Sequence, residues 1–227
     1  MSTSSPSHES ALQVLLPHGI RAIGLSSTGS PPCAAASAGA SIELSRRRLE
    51  HAAGRRCADA AVECLGIVSG TIGSRRDGRP LWPQGVTGSI THTDGFAAAA
   101  VGERAHYRAI GIDAERIGEV SRELWSRIFV DHETRWLHSL RGSDQARAAT
   151  SMFSAKEAFY KCQYEVTGEW LEFRDIELQL FCGNPTRGRF VVRPTRRAGW
   201  FERVIGPALI RFSAQRDLAL TAMTLEV

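Results

Sequence analysis

Residues 106–115, His106-Tyr107-Arg108-Ala109-Ile110-Gly111-Ile112-Asp113-Ala114-Glu115 (HYRAIGIDAE), read as a β-strand whose apolar run ends in two acids. Alternate residues of a strand share a face, so Asp113 and Glu115 stand side by side at its end. Two adjacent carboxylates either repel, which raises one pKa, or share a cation. Solvated acids at a strand end are the simpler reading, and oxygen-only ligation of magnesium is the other.

The elements on either side of this strand decide the fold class. Upstream, low-complexity residues 26–41 (SSTGSPPCAAASAGAS) read as a loop, followed by a helix over about 41–65. Leu49, Ala53, Cys57, Ala60, Ala61 and Cys64 fall on one stripe of that helix. A Gly/Arg/Asp/Pro-rich stretch then leads to a strand over 87–92, a Thr93-Asp94-Gly95 turn and a return arm, FAAAAVGE. Downstream, Ser121 and Asp131 are candidate caps of two short helices, and a third helix spans about 143–166. Strands over 175–182, 189–193, 208–213 and 218–225 complete the chain, with no obvious internal repeat. This order predicts an α+β protein of two helix-plus-sheet halves, 11–106 and 107–227, behind a disordered tail over 1–10.

The 227 residues carry a net charge of +4, and 26 of the 28 basic residues are arginine. Apart from Arg46-Arg47-Arg48 the arginines are dispersed, so no basic block points to nucleic acid. The five cysteines (Cys33, Cys57, Cys64, Cys162, Cys182) form no CxxC pair, which predicts a reducing, cytoplasmic setting without disulfides or zinc. No apolar run approaches the roughly 18 residues that cross a membrane, and the N-terminus does not read as a signal peptide.

Both lysines lie in one helical segment, Phe153–Lys161 (FSAKEAFYK). Lysine offers a compact, mobile point charge that arginine does not reproduce. Glu157 and Lys161 are one turn apart and can form an ordinary i,i+4 ion pair of about 0.3–0.5 kcal/mol. With Lys156 on its other side, Glu157 is expected to have a depressed pKa and stay ionised, as a metal ligand or base requires. A third segment, Gly88–Gly95 (GSITHTDG), sets Ser89, Thr91 and His92 at a strand-to-turn junction. Hydroxyls, turn amides and an imidazole there can hold phosphate oxygens, although a lone histidine is as readily structural. Neither a dinucleotide fingerprint, a P-loop nor a GxSxG nucleophile elbow is present.

GSITHTDG, GIDAE and FSAKEAFYK, in that order and spacing, resemble the 4′-phosphopantetheinyl transferases of the larger, single-chain class. That family's pattern is glycine–aliphatic–aspartate with an acid two positions on, then an aromatic-Ser-x-Lys-Glu-Ala-x-x-Lys helix about forty residues later. SRRRLEHAAGRRCA (45–58) and RPLWPQG (79–85) are similar to the enterobactin-synthase subgroup, so the resemblance runs from about residue 44 to 170. It implies transfer of phosphopantetheine from coenzyme A to a serine of an apo acyl or peptidyl carrier protein of a fatty-acid, polyketide or peptide synthase. It also implies a monomeric pseudo-dimer of two similar helix-plus-antiparallel-sheet halves, with the active site in the cleft between them.

By the same resemblance, Asp113, Glu115 and Glu157 hold magnesium, or manganese in its place. Glu157 helps remove the serine proton, and Lys161 neutralises the departing phosphate oxygen. His92 binds a coenzyme A phosphate, along with Ser89 and Thr91, and Lys156 contacts phosphate or pantetheine. Arg47 and Arg55 hold the 3′-phosphate, and Arg75 or Arg76 lies near the adenine. The chain departs from the pattern at Phe153, where many members have tryptophan, and in SRRDGRP (74–80), where some have lysine. The alternative class is a non-catalytic module that binds coenzyme A or a carrier protein.

Overall fold

In the computed structural model, which describes residues 7–26, 39–68, 70–196 and 201–227, one chain path occurs twice. A first helix, α1 (His8–Leu15), precedes β1 (Arg21–Ser26), the long helix α2 (Gly39–Glu63) and the hairpin β4 (Val86–Thr93)–β5 (Phe96–Glu103). A two-residue ribbon, β2 (Gly73–Ser74) and β3 (Pro80–Leu81), lies between α2 and β4. The second pass begins at β6 (Tyr107–Arg116) and continues through the short helices α3 (Trp125–Ile128) and α4 (Asp131–Ser139) to the long helix α5 (Gly142–Thr167). The hairpins β7 (Ile176–Asn184)–β8 (Arg187–Pro194) and β9 (Ala208–Gln215)–β10 (Leu218–Glu226) follow.

The sheets have orders β1-β5-β4 and β6-β10-β9-β8-β7, antiparallel throughout. In each, the last strand of the half inserts between the first strand and its own hairpin partner. The halves are therefore topological copies, with β7–β8 extending the second sheet where β2–β3 stands apart in the first. The protein is α+β. The two expected capping residues do not act as such: Ser121 makes no side-chain cap, and α4 starts from Val130, whose amide donates to Glu133.

Helix α1 starts inside the stretch expected to be a disordered tail. Ser7 accepts from the amide of Ser10, and Ala11, Leu12 and Leu15 bury an apolar face. That face packs in a core shared by both sheets, with Ala22, Phe96, Ala98 and Ala100 from the first and Ile110, Ile112, Leu218 and Leu220 from the second. The opposite face of β5, through Ala97, Ala99 and Val101, packs on Cys57, Ala58, Ala61 and Val62 of α2. An alanine-rich central strand thus lets two layers close on it. Leu49 of α2 is 70% exposed, and Cys64, just past its end, is also exposed, so the buried stripe is narrower than expected. The expected loop over 26–41 and Cys33 fall largely or wholly outside the described residues.

The halves meet along β4 and β6, the facing edge strands of the two sheets, which run side by side in the same direction. No backbone ladder joins them. Instead Ser89 Oγ accepts from Ile112 N and Thr91 Oγ1 from Ala114 N, both at 3.1 Å. Above β6 lies α5. A Cβ on Gly111 would fall inside the carbonyl oxygen of Ala158 and 2.8 Å from Cys162 Cβ, so only glycine admits this approach. Gly111→Ala is expected to cost about 3 kcal/mol of stability by overpacking, read from denaturant unfolding at equal m.

Candidate active site

The close passage of α5 over Gly111 brings residues one and two turns of α5 into reach of the acids on β6. Lys161 Nζ donates to Asp113 Oδ1 at 2.7 Å and to the carbonyl of Ile112 at 3.2 Å. Its ion pair therefore crosses to β6 instead of running along the helix to Glu157. Thr91 Oγ1 donates to the same Asp113 oxygen at 3.1 Å, and this ties the seam between the sheets to the carboxylate. Asp113 is 3% exposed, yet its Oδ2 is buried without a hydrogen-bond partner.

Glu115 and Glu157 share that environment. Burial, with Asp113 alongside, pushes Glu115 up to about 8. Burial first and Asp113 second also raise Glu157, against the pull of Lys161. The depressed Glu157 expected from two flanking ammonium groups is thus reversed, because Lys156 points elsewhere. Among the described residues no three His, Cys, Asp or Glu side chains form a ready-made metal cage. Still, carboxylates close enough to feel one another's charge, with one lysine as countercharge and a buried acceptor oxygen without a donor, have the donor chemistry of a hard divalent cation site.

Lys156, expected to contact phosphate or pantetheine, spends its ammonium inside the protein, although it also borders a cavity shared with Glu157 and Tyr160. Its side chain is 1% exposed, and Nζ reaches Glu133 Oε2 at 2.8 Å and the carbonyls of Ile128, Phe173 and Ile176 at 2.8–3.0 Å. Glu133 in turn accepts from Val130 N and Leu178 N. Burial pushes Glu133 up and Lys156 down, each opposed by the other's charge. An ammonium with three protons and no lone pair suits this all-acceptor shell, one proton being shared between two of the four acceptors. This lysine pins α5 to the segments before α4 and β7. Ser154 acts likewise: its hydroxyl meets Thr221 Oγ1 of β10 at 2.9 Å.

A cleft of about 230 Å³ opens beside Lys161, walled by His51 and Arg55 of α2, Arg79, Trp82, Ser89 and His92, with Tyr160, Tyr164 and Glu165 from α5. Residues from both halves therefore face one cavity. His92 lies 3.5 Å from Glu50, and burial lowers its pKa. Arg55 spends its guanidinium on the 72–74 segment, donating to the carbonyls of Ile72 and Gly73 and to Ser74 Oγ, while lining the cleft. Arg47 lies on an adjoining hollow with His51, His92 and Glu119. Arg75 pairs with Glu165 at 3.3 Å, and Arg76 is exposed outside the cleft wall. Thr91 Oγ1 is committed in both directions, to Asp113 and to the amide of Ala114, whereas Ser89 Oγ only accepts from β6 and lines the cleft, which leaves its proton for a phosphate oxygen.

A second cavity of about 260 Å³ lies on the other flank of α5, lined by Glu157, Phe159, Tyr160, Trp170, Leu171 and Phe173. Tyr160 borders both cavities. Sequence reasoning missed Tyr160, Arg79, Glu133 and Glu165. For Tyr160 the signal was available, since it precedes Lys161 on the same helix. For the others only the tertiary partner shows the role.

Residues 37–102 match the family model described as the 4'-phosphopantetheinyl transferase N-terminal domain, and residues 109–221 match the 4'-phosphopantetheinyl transferase superfamily. The 4'-phosphopantetheinyl transferase PptT of Mycobacterium tuberculosis is 32% identical over 194 residues, covering 80% of this chain and 81% of that protein. The chain belongs to the 4'-phosphopantetheinyl transferase superfamily. Npt of Nocardia iowensis, of the same description, is 36% identical over 136 residues, 60% of each chain. Enterobactin synthase component D of Escherichia coli is 38% identical over 135 residues, 58% of this chain and 62% of that protein. The match thus spans about three fifths of the length of these last two relatives.

Lys156→Met is expected to lower stability by about 3 kcal/mol, because it strands the buried Glu133 carboxylate. Glu133→Gln combined with Lys156→Met is expected to recover much of that loss in the same unfolding assay. A phosphate-binding lysine would instead weaken coenzyme A binding with stability unchanged.

Proposed function

We propose that this protein transfers the 4′-phosphopantetheine group of coenzyme A to a serine hydroxyl of an apo acyl or peptidyl carrier protein, releasing adenosine 3′,5′-bisphosphate. The observation that carries this reading is Lys161, which lines a basic cleft shared by two topologically equal halves while it pairs with Asp113, the acid that raises Glu115 and Glu157. In this reaction the serine oxygen forms a bond to the phosphorus that bears pantetheine. The bond from that phosphorus to the bridging oxygen of the pyrophosphate breaks, and the electron pair leaves with the nucleotide.

Asp113, Glu115 and Glu157 would hold magnesium, which when bound neutralises pyrophosphate charge and screens it from the incoming oxygen. Glu157 takes the serine proton directly or through a water. Lys161, held in place by Asp113, faces the cleft where charge grows on the departing phosphate oxygen. His92, Arg55 and Arg47 are assigned to the nucleotide phosphates, for which guanidinium geometry is suited, and Arg75 or Arg76 to the neighbourhood of the adenine. The cavity beside Glu157, about 260 Å³ and walled largely by Phe159, Tyr160, Trp170, Leu171 and Phe173, is assigned to the uncharged pantetheine arm. Both walls of the cleft come from one chain, consistent with a monomer acting in the cytoplasm. No described helix is long and apolar enough to cross a membrane.

With coenzyme A, magnesium and a panel of purified apo carrier domains from peptide, polyketide and fatty-acid synthases, intact mass is expected to show one phosphopantetheine added to a serine. A folded protein that shifts no carrier on the panel would sink the assignment. Asp113→Ala is expected to abolish magnesium-dependent turnover by at least about a hundredfold, while circular dichroism stays unchanged. Lys161→Arg is expected to turn over at least about tenfold more slowly at equal charge, because a planar guanidinium cannot replace a compact ammonium between Asp113 and the leaving group. Wild-type rates in that variant would show the lysine to be incidental.

A further inference from the structure

The geometry points to Glu165 as a positioning residue for the coenzyme A site, an assignment that rests on the function proposed above. Glu165 is on the last turn of α5, its side chain only 11% exposed, and it receives three arginines from the other half of the chain. Arg104 Nη2 reaches Oε1 at 2.6 Å, Arg75 Nη2 reaches the same oxygen at 3.3 Å, and Arg79 Nη1 reaches Oε2 at 3.2 Å. Arg79 is further held by Asp77 at 2.7 Å, by the carbonyl of Tyr164, and over the Tyr164 ring at 4.8 Å.

Besides Glu165, only Tyr164 of α5, through its carbonyl and its ring, is seen to hold the turn that carries Arg75 and Arg79. Its flanking ribbon is two residue pairs long, and its own hydrogen bonds join Arg75 to Arg79 and Gly78 to Arg75. It can form locally, but its docking depends on the carboxylate. Three guanidinium groups meet two carboxylates in this cluster, a net positive charge beside the cleft that Arg79 and Glu165 line. Without Glu165 the three cations repel one another, and the turn keeps only the Arg79–Tyr164 contacts to α5. The acid therefore fixes a cationic wall before the ligand arrives, and ordering done in advance strengthens binding. Glu165 touches neither the reacting phosphorus nor the carboxylate cluster in this scheme; it acts through the arginines.

The test is calorimetric titration of the full chain with coenzyme A, together with steady-state kinetics on a carrier it modifies. Glu165→Gln, nearly isosteric, is expected to raise the Kd and KM for coenzyme A roughly tenfold, a usual size for coupling between a ligand and a second site. The effect should fall on KM for coenzyme A rather than on kcat, and Glu165→Asp should restore part of it. Arg104→Gln removes a partner that lies outside the cleft wall, so it should weaken binding too, yet add nothing in the Glu165→Gln background. An unchanged or tighter Kd in Glu165→Gln, or additive losses in the double variant, would overturn the assignment. If the wild-type chain itself bound no coenzyme A, the functional reading would fall with it. Wild-type binding beside an unaffected Glu165→Gln sinks this inference alone.

Discussion

Two sheet edges lie against each other along β4 and β6 without a backbone ladder, and most of the architecture follows from how that seam is closed. Unpaired amides at a buried edge are costly, so each must find an acceptor. Ser89 and Thr91 supply it from alternate positions of β4 to alternate amides of β6. The period of two in one strand is matched to the period of two in the other, and this sets the relative register of the halves. Thr91 also donates to Asp113, so the group that closes the seam orients the acid at the centre of the site.

The two lysines of α5 show how one residue type takes opposite roles within five positions. Lys156 faces the core and is consumed by Glu133 and three carbonyls; Lys161 faces the cleft and is held by a single buried aspartate. The first fixes the helix, and the second has donor capacity left for a ligand. Glu157 lies between them on the helix, its carboxyl raised by burial and by Asp113. A cluster of acids so arranged is destabilising on its own, which is the usual condition of a site shaped for a charge that arrives with its ligand.

Much of the fold was legible in the chain. The hairpin over 87–103, the strand carrying GIDAE, the long third helix and the later strands all lie within about two residues of the elements found, because alternation and helical spacing there are uninterrupted. Helix α1 was not legible: its eight residues gain stability from the core shared by both sheets rather than from their own pattern. The duplication was expected from the family resemblance and not from any repeat in the chain. No residue pattern repeats between the halves, and the equivalence lies in strand order alone.

By itself, then, the sequence determined the α+β class, the strand that ends in Asp113 and Glu115, and the helix that carries Glu157 and Lys161. Those features are local, written in spacings of two and of three to four. The tertiary structure decided which lysine faces the cleft, that Ser89 and Thr91 close the seam, and that Glu165 gathers Arg75, Arg79 and Arg104. Partners such as these lie 61 to 90 positions apart for Glu165 and 23 for the seam hydroxyls. A side chain's role at that distance is set by which surfaces pack, and no local period encodes it.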